Sequence, residues 1–110
     1  EMAPYEVEYF YMLLLDVANS LIAKVNISKG TVNQTMASTR ECMKEALRYG
    51  ASGIILLHNH PSGDPTPSGA DICLTEKMKR AAELLDIVLI DHIVIGSKSY
   101  ISFKQEGLID

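Results

Sequence analysis

The most informative stretch of this chain is GIILLHNHPSGDPTPSGAD, residues 53–71. Residues 53–57 form a short apolar run that starts with glycine and precedes a polar loop, which is typical of a central β-strand covered on both faces. We expect this strand to end at His58. Three prolines within residues 59–68 exclude regular structure and predict a stiff loop. Ser68-Gly69-Ala70-Asp71 then opens a helix.

Downstream of this stretch, apolar residues recur at helical spacing. A buried stripe over residues 69–85 is predicted from Leu74, Met78, Ala81, Ala82 and Leu85. Because the stripe continues back to Asp71 at i−3, the carboxylate of Asp71 should face the sheet. Residues 87–95 and 100–103 read as two further strands around the Gly96-Ser97-Lys98 turn.

Upstream, the pattern predicts a hairpin and a first helix. Residues 8–16 and 21–27 read as two strands joined by a turn at Val17-Ala18-Asn19-Ser20. Ser38-Thr39-Arg40-Glu41 has the S-x-x-E form of a capping box, and Gly50 can end the helix that follows. We therefore predict a helix over residues 39–49, with one apolar face made of Cys42, Met43, Ala46 and Leu47.

These elements together predict a single α/β domain over residues 1–110. Their order is β-β-α-β-α-β-β, with a mixed sheet flanked by helices. The strand at residues 53–58 should be interior, with the 39–49 and 69–85 helices packed on the sheet. A chain of 110 residues with 47% hydrophobic residues can bury one core of this kind.

Composition narrows the class of protein. We see neither a signal peptide nor an apolar stretch of the roughly 20 residues that cross a bilayer, and we expect a soluble, cytoplasmic protein without membrane contact. Cys42 and Cys73 lie outside any CxxC spacing, so we interpret them as reduced packing residues. A formal net charge of −4 argues against direct DNA binding, which requires a basic surface.

The candidate chemistry lies where the strand ends and the next helix begins. His58 and His60 flank one residue at the strand end, and Asp71 stands in the first helical turn. Two imidazoles and a carboxylate supply the protein ligands of a catalytic zinc site, and the fourth position is left for water. Taken singly, each feature has an ordinary explanation: a hydrogen-bonded histidine, a capping box at Ser68-x-x-Asp71, or a proline-rich loop.

The combination is more specific than its parts. His58-x-His60 followed by x7-Ser68-x2-Asp71 matches the signature H-x-H-x7-S-x2-D of the JAMM (MPN+) metallohydrolases. The segment HNHPSGDPTPS, with Asp71, Thr75 and the later LIDHIVIG, resembles the RadC family, a bacterial branch of that group, over nearly the whole chain. RadC proteins usually have an N-terminal helix-hairpin-helix region, so this chain resembles the catalytic-type portion alone.

The resemblance implies a JAMM/MPN-like fold and a Zn²⁺-dependent hydrolase that cleaves a peptide or isopeptide bond in an unknown peptide or protein substrate. It also implies that Ser68 donates to the developing oxyanion, although Ser68 could equally be only an N-cap. Two glutamates compete as general base. We favour Glu8, because Glu8-x-Phe10 resembles the E-x-F of RadC proteins, whereas Glu41 occupies a capping position that is useful for its helix alone.

Other readings remain open at this point. RadC proteins have long been labelled DNA-repair factors, so the alternative is a non-catalytic or accessory module in DNA metabolism. His92, beside Asp91, is placed outside the ligand set, with a supporting hydrogen-bond role possible. The first structural test is whether His58, His60 and Asp71 face one cavity.

Overall fold

The computed structural model describes residues 8–29 and 39–109. The predicted order β-β-α-β-α-β-β is confirmed. The elements are β1 (Tyr9–Leu15), β2 (Leu21–Lys29), α1 (Thr39–Arg48), β3 (Gly53–Asn59), α2 (Gly69–Leu84), β4 (Val88–Ile95) and β5 (Tyr100–Ser102). Every predicted bound agrees with the structure within two residues. β3 continues one residue beyond its predicted end, to Asn59, so His58 lies within the strand rather than at its end.

The five strands form one mixed sheet in the order β2-β1-β3-β4-β5. β3 is therefore the central strand, as predicted. It pairs antiparallel with β1 and parallel with β4, and α2 makes the crossover that a parallel pair requires. The loop between β3 and α2 consequently leaves the sheet at the carboxyl end of β3.

The main core lies on one face of the sheet. Opposed residues of β1 and β3 share this face, since Met12 pairs with Leu56 and Leu14 with Ile54, and all four are fully buried. Buried residues of both helices join the same cluster. The expectation that β3 is covered on both faces is wrong, because Ile55 and Leu57 on the opposite face are only half-buried.

Both helical stripes end earlier than predicted. Leu47, assigned to the apolar face of α1, is 56% exposed, and Leu85, assigned to the α2 stripe, is 40% exposed. Leu85 is the C-cap of α2, where the chain leaves helical geometry and the periodicity stops applying. Cys42 is buried and Cys73 is exposed, so both are free as predicted but only Cys42 is a packing residue.

The hairpin turn is held by a carboxylate. Oδ1 of Asp16 accepts hydrogen bonds from the backbone N–H groups of Ala18 and Ser20, both at 2.9 Å. Asn19 adopts a φ of 65°, a left-handed conformation that asparagine tolerates well. This explains the turn at residues 17–20. Ser38, the first residue of the capping box predicted for α1, lies outside the described residues.

No helix in the described ranges is long and apolar enough to cross a membrane.

The loop after β3 is clamped against the turn between β4 and β5. The backbone N–H of His60 donates to the carbonyl of Ile95 at 2.9 Å, and that of Ser97 donates to the carbonyl of Gly63 at 2.9 Å. A Cβ added to Gly96 would collide with the Gly63 carbonyl oxygen and lie 2.7 Å from Cδ of Pro65. Gly96 therefore lets two backbone segments approach closely.

Gly96→Ala is expected to destabilise the fold by about 1–3 kcal/mol, because the new methyl meets backbone that cannot rotate away. Urea denaturation measures this difference. Gly69→Ala is the matched control, since a Cβ there meets nothing within 4 Å, and its effect should stay within about 0.5 kcal/mol. A Gly96→Ala protein as stable as wild type would show that the loop can shift without cost.

Candidate metal centre

His58 presents a buried nitrogen to the carboxyl end of β3. Its side chain is 1% exposed, and the ring stacks on Phe10 with 5.2 Å between centroids. Nδ1 lies 2.9 Å from Nε2 of His92. Nε2, in contrast, is buried and has no hydrogen-bond partner among the described residues. A buried polar atom without a partner is costly unless something else occupies its lone pair.

Asp71 lies opposite this nitrogen because of the way α2 begins. Ser68 is the N-cap, and its Oγ accepts the backbone N–H of Asp71 at 3.0 Å. The Asp71 carboxylate accepts the backbone N–H of Ser68 at 2.8 Å, which completes the capping box. Asp71 thus contributes to the cap and also faces the histidines, with its two oxygens 3.3 Å from Nε2 of His58 and 3.0 Å from Nε2 of His60.

The clamped loop orients His60. Its Nδ1 lies 2.9 Å from the backbone carbonyl of Asp64. Because a carbonyl only accepts, Nδ1 must carry the hydrogen of this bond. Nε2 of His60 is thereby directed at Asp71, and in a neutral ring it is the unprotonated nitrogen.

Glu8 reaches the same space from the start of β1. Its Oε2 lies 3.4 Å from Nε2 of His58, and atoms of Glu8, His58 and His60 all lie within 4.8 Å of one another. The start of the strand is anchored by Asn59, whose side-chain oxygen accepts the backbone N–H of Tyr9 at 2.7 Å. The residue between the two histidines therefore positions the segment that carries Glu8.

These donor atoms suit a zinc ion. Ligands held about 2.0 to 2.2 Å from zinc in a tetrahedron are separated from one another by about 3.3 to 3.6 Å. Nε2 of His58 lies 3.3 Å from Asp71 and 3.4 Å from Glu8. The distance of 3.0 Å between His60 and Asp71 is slightly shorter. Glu8, His58 and His60 therefore form a group that could hold a metal ion, and the Asp71 carboxylate lies 3.0 to 3.3 Å from both histidines.

The electrostatics of the site favour a negative Asp71. Burial alone would raise the pKa of this carboxyl group, but its contacts with the imidazoles of His58 and His60 outweigh burial and hold the pKa well below its usual range. Protonated His60 can donate its Nε2–H to Asp71, and this hydrogen bond raises the pKa of His60 against the opposing effect of its own burial. Asp71 is thus ionised at neutral pH, as a ligand carboxylate must be.

Ser68 lines a cavity of about 170 Å³. Its oxygen accepts from Asp71 as the N-cap, which leaves the hydroxyl hydrogen available to donate. The two roles considered for this serine are therefore compatible. The cavity lining combines acidic, imidazole and apolar groups: Glu8, Phe10, His60, Ser68, Ala70, Asp71 and Leu74.

The competing glutamate lies elsewhere. Glu41 is exposed in the first turn of α1, 3.9 Å from the amine of Lys44, and it does not line this cavity. Of the two candidate bases, only Glu8 is brought beside the histidines.

Three groups that contact the site were not predicted as supporting groups from the sequence. They are the Asn59 side chain, the Asp64 carbonyl and the Thr75 hydroxyl. Their spacing along the chain does not indicate these contacts. His92 was left outside the ligand set, and the structure places it behind His58, fully buried.

Comparison with known families gives a match over almost the whole chain. The model of the RadC-like JAB domain matches residues 1–108.

Individual relatives agree with this match. A UPF0758 protein of Rhodobacter capsulatus is 50% identical over 108 residues, which is 98% of this chain and 50% of the relative. One from Geotalea uraniireducens is 45% identical over 109 residues, covering 99% of this chain and 48% of that protein. The chain spans about half the length of these curated relatives, whose names state no activity.

Proposed function

This chain belongs to the family of RadC-like JAB domains, and from that membership and the geometry of the site we propose that it is a zinc-dependent hydrolase of peptide or isopeptide bonds. The observation that carries the proposal is Nε2 of His58. This atom is buried and has no hydrogen-bond partner within residues 8–29 and 39–109, yet two carboxylates lie 3.3 and 3.4 Å away. A cation bound between them would account for all three groups.

His58, His60 and Asp71 would hold the zinc. Each comes from rigid or clamped structure: a central strand, a loop pinned by backbone hydrogen bonds, and the capped first turn of a helix. Bound by these residues, zinc would act as a Lewis acid and would lower the pKa of a nearby water toward neutrality.

Glu8 would accept the proton in this reaction. Apart from Asp71 it is the carboxylate that lines the cavity in the described part of the chain, and its side chain is about one-third exposed, so water can reach it. Ser68 would donate its hydroxyl hydrogen to the negative charge that develops on the substrate carbonyl oxygen. The apolar lining from Phe10 and Leu74 would exclude bulk water beside the scissile bond.

Metal content and hydrolysis test the proposal together. Purified protein is analysed for bound metal and then incubated with a panel of peptides and isopeptide-linked conjugates. Chelation should abolish cleavage and zinc should restore it. Zinc-loaded protein that cleaves no member of the panel, or metal-free protein that cleaves equally well, would contradict the proposal. DNA binding that persists across a salt titration would instead favour the accessory role in DNA metabolism.

A further inference from the structure

A buried chain of hydrogen bonds runs behind the candidate zinc site. Nδ1 of His58 lies 2.9 Å from Nε2 of His92, and Nδ1 of His92 lies 2.6 Å from the hydroxyl oxygen of Thr75. The Thr75 hydroxyl is also 2.7 Å from the backbone carbonyl of Asp71. The chain thus starts at one proposed ligand residue and ends at another, through two residues that do not line the cavity beside the site.

The positions of the hydrogens in this chain of hydrogen bonds follow from counting the donors and acceptors of each group. The Asp71 carbonyl has no hydrogen to give, so the single hydroxyl hydrogen of Thr75 is directed to it. The contact of 2.6 Å between Thr75 and His92 also requires a hydrogen, and only Nδ1 of His92 can provide it. His92 therefore carries its hydrogen on Nδ1.

The other nitrogen of His92 must then accept. His92 is fully buried, and its two nitrogens face a hydroxyl and another imidazole rather than a carboxylate, so no negative group would offset a buried imidazolium and the ring is neutral. A neutral imidazole with hydrogen on Nδ1 has a lone pair on Nε2. Nδ1 of His58 therefore donates to it, and in a neutral His58 ring the lone pair is then on Nε2.

We infer that Thr75 and His92 are positioning residues that hold His58 in the tautomer whose Nε2 lone pair can bind zinc. This inference rests on the proposed metal site and adds the residues that prepare it. Ring packing supports it, since His92 stacks on Phe103 with 4.5 Å between centroids, and Phe10 lies against both histidines. The rings have little room to rotate into another arrangement.

The Thr75 hydroxyl offers a clean test by substitution. Thr75→Val keeps the side-chain shape but removes the acceptor for His92, whereas Thr75→Ser keeps the hydroxyl. Loss of such a supporting hydrogen bond typically weakens metal affinity by about 10- to 100-fold. We expect that loss in Thr75→Val, measured by competition with a zinc chelator, and affinity close to wild type in Thr75→Ser.

Met78→Val is the control for core damage, because Met78 is fully buried one turn further along α2 and is not a member of the chain of hydrogen bonds. It should lower stability without changing zinc affinity of the folded protein. Thr75→Val with wild-type zinc affinity would overturn the inference. So would equal affinity losses in Thr75→Val and Thr75→Ser, because the hydroxyl would then be irrelevant.

Nitrogen-15 NMR of the histidine rings provides a readout that does not depend on zinc. In metal-free wild-type protein, His92 should carry its hydrogen on Nδ1 and show an unprotonated Nε2. Hydrogen on Nε2 of His92 would overturn the inference, even if the protein binds zinc well. Conversely, wild-type protein that binds no zinc would contradict the proposed function, and the His92 tautomer would still decide this inference.

Discussion

Asp71→Ala is expected to reduce zinc affinity by more than about 100-fold, which exceeds the usual effect of residues that only support ligands. The substitution removes both oxygens that lie 3.0 and 3.3 Å from the imidazoles of His60 and His58. It also removes the negative charge that would offset the cation. Isothermal titration or chelator competition would measure the loss, and metal content of the purified variant should fall toward zero.

Asp71 has a second role that must be separated from the first. Alanine also removes the acceptor for the backbone N–H of Ser68, which should destabilise α2 by about 1 kcal/mol. Asp71→Asn is the matched control, because its amide oxygen can still accept that hydrogen bond. We expect it to retain stability and to lose most of the zinc affinity. Wild-type zinc binding by Asp71→Ala would leave Glu8, His58 and His60 as the ligand set.

Glu8→Gln is expected to keep zinc bound near one ion per chain and to lower hydrolysis by about 10²- to 10⁴-fold, the usual contribution of general acid–base catalysis. The amide has the shape of the carboxylate but cannot accept the proton. Metal analysis and initial rates on the same preparation measure both quantities. Glu8→Ala should behave in the same way, whereas the Asp71 variant loses metal and activity together.

Glu41→Gln is the control for Glu8→Gln, because Glu41 is exposed on α1 and does not line the cavity. It should retain both metal and activity. Loss of activity in Glu41→Gln with full activity in Glu8→Gln would reverse the assignment of the base. Loss of zinc in Glu8→Gln would identify Glu8 as a ligand, which its distance of 3.4 Å from Nε2 of His58 permits.

Local sequence patterns were sufficient to predict the helices, the strands and the candidate metal ligands. The apolar run at residues 53–57 predicted the central strand, and the prolines predicted the loop that follows it. His58, His60 and Asp71 could be grouped because a strand end, a short loop and a helix start are neighbours along the chain. The prediction that Leu47 and Leu85 lie on buried helix faces was wrong, because both are exposed. Periodicity gives the direction of a side chain but does not show whether another element covers it.

Contacts between residues distant in sequence determined the position of Glu8 and the hydrogen bonds behind the site. Glu8 could be preferred over Glu41 only by resemblance, because its position depends on β1 pairing with β3, where Phe10 lies opposite His58. The supporting chain through Thr75 and His92 joins α2 to β4 and β3, across 17 and 34 residues of sequence. The residue types of this chain thus determined the candidate ligands. Only the packing of sheet and helix determined which nitrogen of His58 is free to bind it, because hydrogen-bond direction depends on partners distant in sequence.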